Sequence, residues 1–378
     1  MFGELEERYS KWERQPDMTP DETIRWEVPG TLASKNLSYF QMPPAWIGPT
    51  PNDTELANPK KGLDIVICDR TLSVGVRICA HRDGVFQFDF REWPEGCPID
   101  IPLYTAERNK PVPPHITELQ AKAAQHRHKC AVVMNAHLAC MSTALSKVQR
   151  HGVWIRQVIT PSSYFTTHWV NGVRQLRGVV VTYDPVLAYV AANVGLQQDI
   201  RKERTRVPIH IETVKYSFDL LESILTSPLA DLLLMTQLLY VAAVNYAQHD
   251  FPTALTLAWT VCEKLLRIRW DAYIEEKSYV STGTDQRTNL INSDRRKTLT
   301  GLDYTASVMS EVLALAGKLN HETYLRLTKA RRGRNGWLHN FTPISDKMAA
   351  ECVQTAQTFL QETSGVELLI SLSHSSRL

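Results

Sequence analysis

Arg331-Arg332-Gly333-Arg334-Asn335-Gly336-Trp337-Leu338-His339-Asn340 is the stretch around which the rest of the chain is read. Arg334 stands five positions before His339, and polar Asn335 follows the arginine directly. Arg326, Lys329, Arg331 and Arg332 lead into the pair, with no acidic residue among them. A guanidinium grips a phosphate through two parallel hydrogen bonds. An imidazole moves protons near neutral pH. Together they can support cleavage of an RNA phosphodiester without a metal. No other histidine of the chain has an arginine five positions before it. The competing reading has Arg334 and His339 capping helix ends.

Outward from this stretch the pattern is helical. A short helix is expected over 323–330, before it. The last long helix, 345–362, carries Met348, Cys352, Ala356 and Phe359 at helical spacing, and Ser364-Gly365 ends it. Upstream, 229–248 reads as a long helix. Asp250 caps the next one, with Pro252 in its first turn and Leu255, Ala258, Cys262 and Leu265 on one face. Asp303 is expected to cap a helix bearing Val308, Met309, Val312, Ala316 and Leu319, and 278–300 reads as a long exposed polar loop with a basic end, Arg295-Arg296-Lys297. Four long amphipathic helices make a bundle.

On these residues the C-terminal half resembles the HEPN superfamily, over roughly 229–371. The signature is Arg334 to His339, with Asn335 where that family favours a polar residue. The segment 240–266, which includes Glu263, is similar to the first two bundle helices, and 352–360 to the helix after the motif. The resemblance implies a metal-independent endoribonuclease with no cofactor, acting as a homodimer whose two motifs form one composite site. It implies catalytic roles for Arg334, His339 and Asn335, with Arg331, Arg332, Lys329 and Arg326 binding RNA. It also implies a cytoplasmic toxin or antiviral defence effector, with a regulatory ligand or an antitoxin as further partner. The alternative is a non-catalytic HEPN module that dimerises or binds RNA or nucleotide, regulated by the N-terminal half. One departure concerns Gly333 and Gly336, each of which weakens a helix by roughly 1 kcal/mol. They suggest a looser backbone there, or a close approach to phosphate. Residues five apart on a helix also point about 140° from each other, which favours a site shared between two copies.

The preceding half is α+β by pattern, and the expected organisation is an arm over 1–62, an α+β domain over 63–215 and the helical bundle over 216–378. A short charged helix opens the arm, followed by a stretch rich in Pro and Trp around Pro43-Pro44-Ala45-Trp46. A strand is expected over 63–68. A hairpin follows over 73–90, turning at Asp83-Gly84. A helix spans 116–148. Its Cys130, Met134, His137, Cys140 and Met141, with His126 and His128, read as core stripe and polar face rather than a metal site, since no closed four-ligand spacing is present. Strands over 153–159 and 178–183 flank a loop, 162–169, whose hydroxyls, His168 and aromatics offer a second candidate ligand pocket. Nothing in the chain matches a Walker loop, a dinucleotide fingerprint or a nucleophile elbow.

The bulk figures set bounds. A length of 378 residues suits two or three domains. With 42 Lys and Arg against 40 Asp and Glu, any nucleic-acid contact must come from local clustering and not from net charge. The first residues are rich in Glu and do not read as a signal peptide, and the most apolar stretch, 229–247, is broken by polar residues. Seven cysteines without a CxxC pair read as reduced thiols, so a soluble cytoplasmic protein without membrane contact is expected.

Overall fold

A computed structural model of the chain describes residues 36–41, 44–57, 65–94, 114–150, 157–160, 163, 165–170, 173–178, 206–281, 287–301 and 303–372. The chain divides into two compact units between Thr226 and Ser227.

The first unit is built on a six-stranded antiparallel sheet in the order β3-β4-β5-β1-β6-β7. Its strands are β1 (Asn36–Phe40), β3 (Val66–Thr71), β4 (Arg77–His81), β5 (Val85–Asp89), β6 (Phe165–Val170) and β7 (Val173–Gly178). The β4–β5 hairpin forms where the sequence signals it. Gly84 turns it at φ +88°, and a Cβ there would lie 2.7 Å from the Ala45 carbonyl. β2 (Ala45–Ile47) pairs in parallel with β8 (Val207–Ile209). Thus the Pro- and Trp-rich stretch is not an irregular arm. β1 lies within the sheet, and Trp46 is buried under the Arg206 guanidinium, 4.6 Å from its ring. The short helix α1 (Asp53–Ala57) supplies Glu55, which takes both forks of buried Arg82 at 2.7 and 3.2 Å. The charged helix expected at the N-terminus and residues 58–64 lie outside the described residues.

The helix α2 (Pro114–Ala144) starts on a proline whose missing N–H costs nothing there, and ends in a π-turn, Leu145–Gln149. Its cysteines and methionines fill the core, as do those of its histidines that face inward. His137 is fully buried among Tyr39, Phe86, Phe88 and Phe218, the last on α3 (Ile211–Leu225). Ser217 donates its hydroxyl to the Val214 carbonyl at 2.7 Å, so it accepts from His137 Nε2–H at 3.2 Å. That fixes the tautomer. His137 Nδ1 then accepts from the Tyr39 hydroxyl at 2.8 Å. One neutral imidazole thereby joins β1, α2 and α3. The expected strand at 153–159 is not seen in its described part. Residues 157–160 run irregularly, with Ile159 tied at both its N–H and C=O to the Asn135 amide. The expected strand at 178–183 leaves only Gly178 described, at the end of β7. The segment 162–169, read as a loop, is mostly strand: Phe165 to Trp169 pair along β7.

The second unit is helical, with one small hairpin. Its elements are α4 (Leu232–Ala247), α5 (Phe251–Lys277), β9 (Tyr279–Ser281), β10 (Arg287–Asn289), α6 (Ser293–Leu299), α7 (Ala306–Leu315), α8 (His321–Asn340) and α9 (Asp346–Ser364). α5 is central and packs against α4, α7, α8 and α9. Asp250 caps it by accepting from Thr253 N–H, and Leu255, Ala258, Cys262 and Leu265 face the core as their spacing requires. Ser345 caps α9, and Gly365 closes it at φ +74°. Arg269 ties α5 to α9, lying over Phe359 at 4.6 Å and bonding Glu362 at 3.1 Å.

Three expectations fail in this unit. In the described part of 278–300 the chain is not an open loop: β9 pairs with β10, and α6, capped by Asn292, follows. The cap of α7 is Thr305 rather than Asp303, and the buried face is Ala306, Met309, Ser310 and Leu313, with Val308 exposed. The helix expected to stop near Ala330 runs on to Asn340. Among the described residues no helix is long and apolar enough to cross a membrane.

Burial pushes the His137 pKa down to about 3. The unfolded chain takes up a proton on this side chain below about pH 6.5, while the folded chain does not. Stability from this group is therefore present above 6.5 and is lost as pH falls towards 3. The unfolding free energy should drop with acid by up to about 1.4 kcal/mol per pH unit more in the wild type than in His137→Gln. Chemical unfolding at pH 7 and pH 4.5 checks it.

Candidate functional site

α8 carries the whole candidate site, and the way it is held determines what the site can be. Asn320 caps it, accepting from Thr323 N–H at 2.7 Å. Thr323, Leu327 and Ala330 are its buried residues. Counting on by four from Ala330 brings Arg334 onto that inner face. Leu325, Lys329, Arg332, Gly336 and His339 follow the same spacing on the opposite, outer face. Arg334 and His339 therefore leave one continuous helix in directions about 140° apart.

The glycines do not loosen this helix, which is α-helical through both. At Gly333 an added Cβ would lie 2.3 Å from Met348 Sδ, so the missing side chain leaves room for Met348 of α9. Gly336 is roomier, with Thr342 Oγ1 3.4 Å away. The helix ends in an αL cap. Phe341 N–H donates to Trp337 O at 2.9 Å, and Thr342 N–H donates to Gly336 O at 3.1 Å. The residue in the left-handed position is usually glycine, but here it is Phe341, at φ +52°. For a bulky residue that conformation costs about 1–2 kcal/mol.

Arg334 is half-buried, and its Nη1 donates to Asn335 Oδ1 at 3.0 Å. Its Nε is buried with no acceptor. An unmet polar group of this kind costs about 1–3 kcal/mol. Asn335 lies one turn before His339, where side chains four apart are neighbours. Asn335 thus lies between the other two in direction, bonded to the guanidinium and one turn before the imidazole. His339 is exposed, and so are Leu338, Asn340 and Phe341, the last at 77%.

The basic cluster is smaller than the sequence suggests. Arg326 is paired with Glu322, and Lys329 with Glu351 on α9. Arg331, Arg332 and Arg334 have no carboxylate partner among the described residues. The signal for the two neutralised cations was legible only in part. Glu322 sits four positions before Arg326, an ordinary helix pair, whereas Glu351 comes from another helix. Arg296, in the basic run 295–297, is likewise held by Glu275.

Other chemistry-bearing groups are otherwise engaged. The six described cysteines are free thiols; burial pushes Cys68 up to about 11 and raises Cys79 and Cys140, and a hydrogen bond with Cys352, then burial, raises Cys262. His126 contacts Cys130 at 3.5 Å, and His137 is used in the core. Among the described residues no three His, Cys, Asp or Glu side chains gather as a metal would need. In the segment 162–169, Ser163 closes a turn on Thr160, bonding its N–H at 2.6 Å.

No family model, no curated protein and no solved structure matches the chain.

The Gly333–Met348 contact is open to a double-mutant cycle. Gly333→Ala raises helix propensity by roughly 1 kcal/mol, yet it should not stabilise the protein, because Met348 must move. In a Met348→Ala background the same substitution should stabilise by about that amount. Thermal unfolding of the four proteins measures the coupling. Additive effects would contradict the contact.

Proposed function

We propose that the chain is a metal-independent endoribonuclease of the HEPN type, whose site is completed when two copies pair. The observation that carries this reading is the trio Arg334, Asn335 and His339 at the end of α8. It combines a guanidinium with an unmet N–H, an amide bonded to it, and an exposed imidazole, with Arg332 as an unpaired cation on the same face as His339. Opposed directions on one helix leave a single copy's Arg334 and His339 unable to close on one bond. A second copy related by a two-fold axis would bring its Arg334 to face this His339.

In the proposed reaction, His339 takes the proton from a ribose 2′-hydroxyl as that oxygen attacks the neighbouring phosphorus. The bond from phosphorus to the 5′-oxygen breaks, the leaving oxygen takes a proton, and a 2′,3′-cyclic phosphate remains. Arg334 stabilises the charge that builds on the phosphoryl oxygens. Asn335 orients it through the 3.0 Å bond. Arg331 and Arg332 attract the backbone without reading sequence. The partly neutralised Arg326 and Lys329 contribute less than their number suggests. The chemistry calls for no metal or cofactor, and DNA is spared because it lacks the attacking hydroxyl. A toxin or antiviral effector, cytoplasmic and restrained by a ligand or antitoxin acting through the first unit, is the biological setting this proposal fits.

The test is cleavage of single-stranded RNA in EDTA by the wild type, His339→Ala and Arg334→Ala. The wild type should cut and leave cyclic phosphate ends. His339→Ala should lose about 10²–10⁴-fold, and Arg334→Ala about 10²–10³-fold. Equal cutting by all three would end the proposal. A second reading, a binding module without catalysis, is favoured by the divergence of the two side chains. RNA binding by all three proteins with cutting by none would establish it.

A further inference from the structure

Phe341 is the residue on α8's end that the fold itself does not explain. It occupies a left-handed position that glycine would take without strain. It leaves most of its ring in solvent, its described aromatic neighbour being Trp337, edge-on at 6.1 Å and 88°. It stands two residues beyond His339. A strained bulky residue that gains little burial needs another use for its ring, and strain of this kind gathers at functional positions. Two capping hydrogen bonds fix its backbone, and Trp337 flanks its ring.

We propose that Phe341 is a stacking platform for a base of single-stranded RNA, on the Trp337 side of the helix end that carries Arg334 and His339. This inference rests on the RNA-cleaving reading and adds to it a substrate preference. Duplex RNA hides its base faces, whereas an unpaired base can be splayed onto an aromatic ring. The site would then take loops and single strands. It would show little sequence preference, since every base has a flat face.

The experiment compares two labelled oligonucleotides of equal charge, both 2′-O-methylated so that they cannot be cut, one with bases and one abasic. Binding is read by fluorescence anisotropy. The wild type should hold the base-bearing strand roughly 5- to 150-fold tighter, the range expected for one stacked base. Phe341→Ala should erase most of that preference and leave abasic affinity unchanged, while Phe341→Trp keeps it. Phe341→Gly should melt no lower than the wild type and also lose the preference, so that unfolding does not explain the loss. If Phe341→Ala keeps the preference, or weakens both strands equally, the platform is refuted. If it turns a dimer into a monomer in sedimentation, Phe341 belongs to a subunit interface, and the proposal is likewise overturned. If the wild type binds neither strand, the RNA reading falls and takes this one with it. That outcome is distinct from intact binding and cutting that ignore Phe341.

Discussion

The unbroken course of α8 sets the geometry of everything around the Arg334–His339 motif. A hydrogen in place of a side chain at Gly333 leaves room for the Met348 side chain of α9 against the α8 backbone. The helix runs on past two glycines that would weaken it in isolation. Unbroken periodicity then decides which side chains face inward. It puts Arg334 in line with Thr323, Leu327 and Ala330, and His339 in line with Leu325 and Arg332. The divergence of arginine and histidine is thus a direct result of helix packing, and pairing of two copies is the simplest way to overcome it.

Charge along α8 is divided by what lies opposite. The first half of the basic run meets carboxylates, from Glu322 on its own helix and Glu351 on the next. The second half meets none among the described residues. Exposed ion pairs of the first kind contribute little to stability, but they cancel local potential. The net effect is to concentrate unpaired positive charge at Arg331, Arg332 and Arg334, within two turns of His339. The same end of the helix carries the unmet Arg334 Nε and the left-handed Phe341. Two local costs thus fall within about two turns of α8.

Much of the helical half was legible because its signals are local. Asp250, Pro252, Ser345 and Gly365 act within a few residues of themselves, and each does what its side chain or backbone dictates. The hairpin at Asp83-Gly84 is of the same kind. What escaped reading depends on distant partners. Gly333 looks like a helix breaker until Met348 is placed beside it. The stretch around Pro43-Pro44-Ala45-Trp46 looks irregular until β1 is seen between β5 and β6, and β2 beside β8. Thr305 and Asp303 both suit a cap, and only the register of Ala306, Met309 and Leu313 against α5 chooses between them. At the candidate site, the motif residues were visible, but their opposed directions required the helix to be continuous. Phe341 carried no sequence signal beyond its nearness to His339, because its left-handed backbone is set by bonds to Gly336 and Trp337.

The claim on which the account turns is that Arg334 of one copy works with His339 of another. Mixing Arg334→Ala protein with His339→Ala protein under conditions that allow exchange gives dimers with one intact pairing. RNA cleavage should then return to roughly a quarter of the wild-type rate, since half of the dimers are mixed and each keeps one of the two Arg334–His339 pairings of the composite site. A mixture as inactive as either variant alone, with exchange verified, would contradict it.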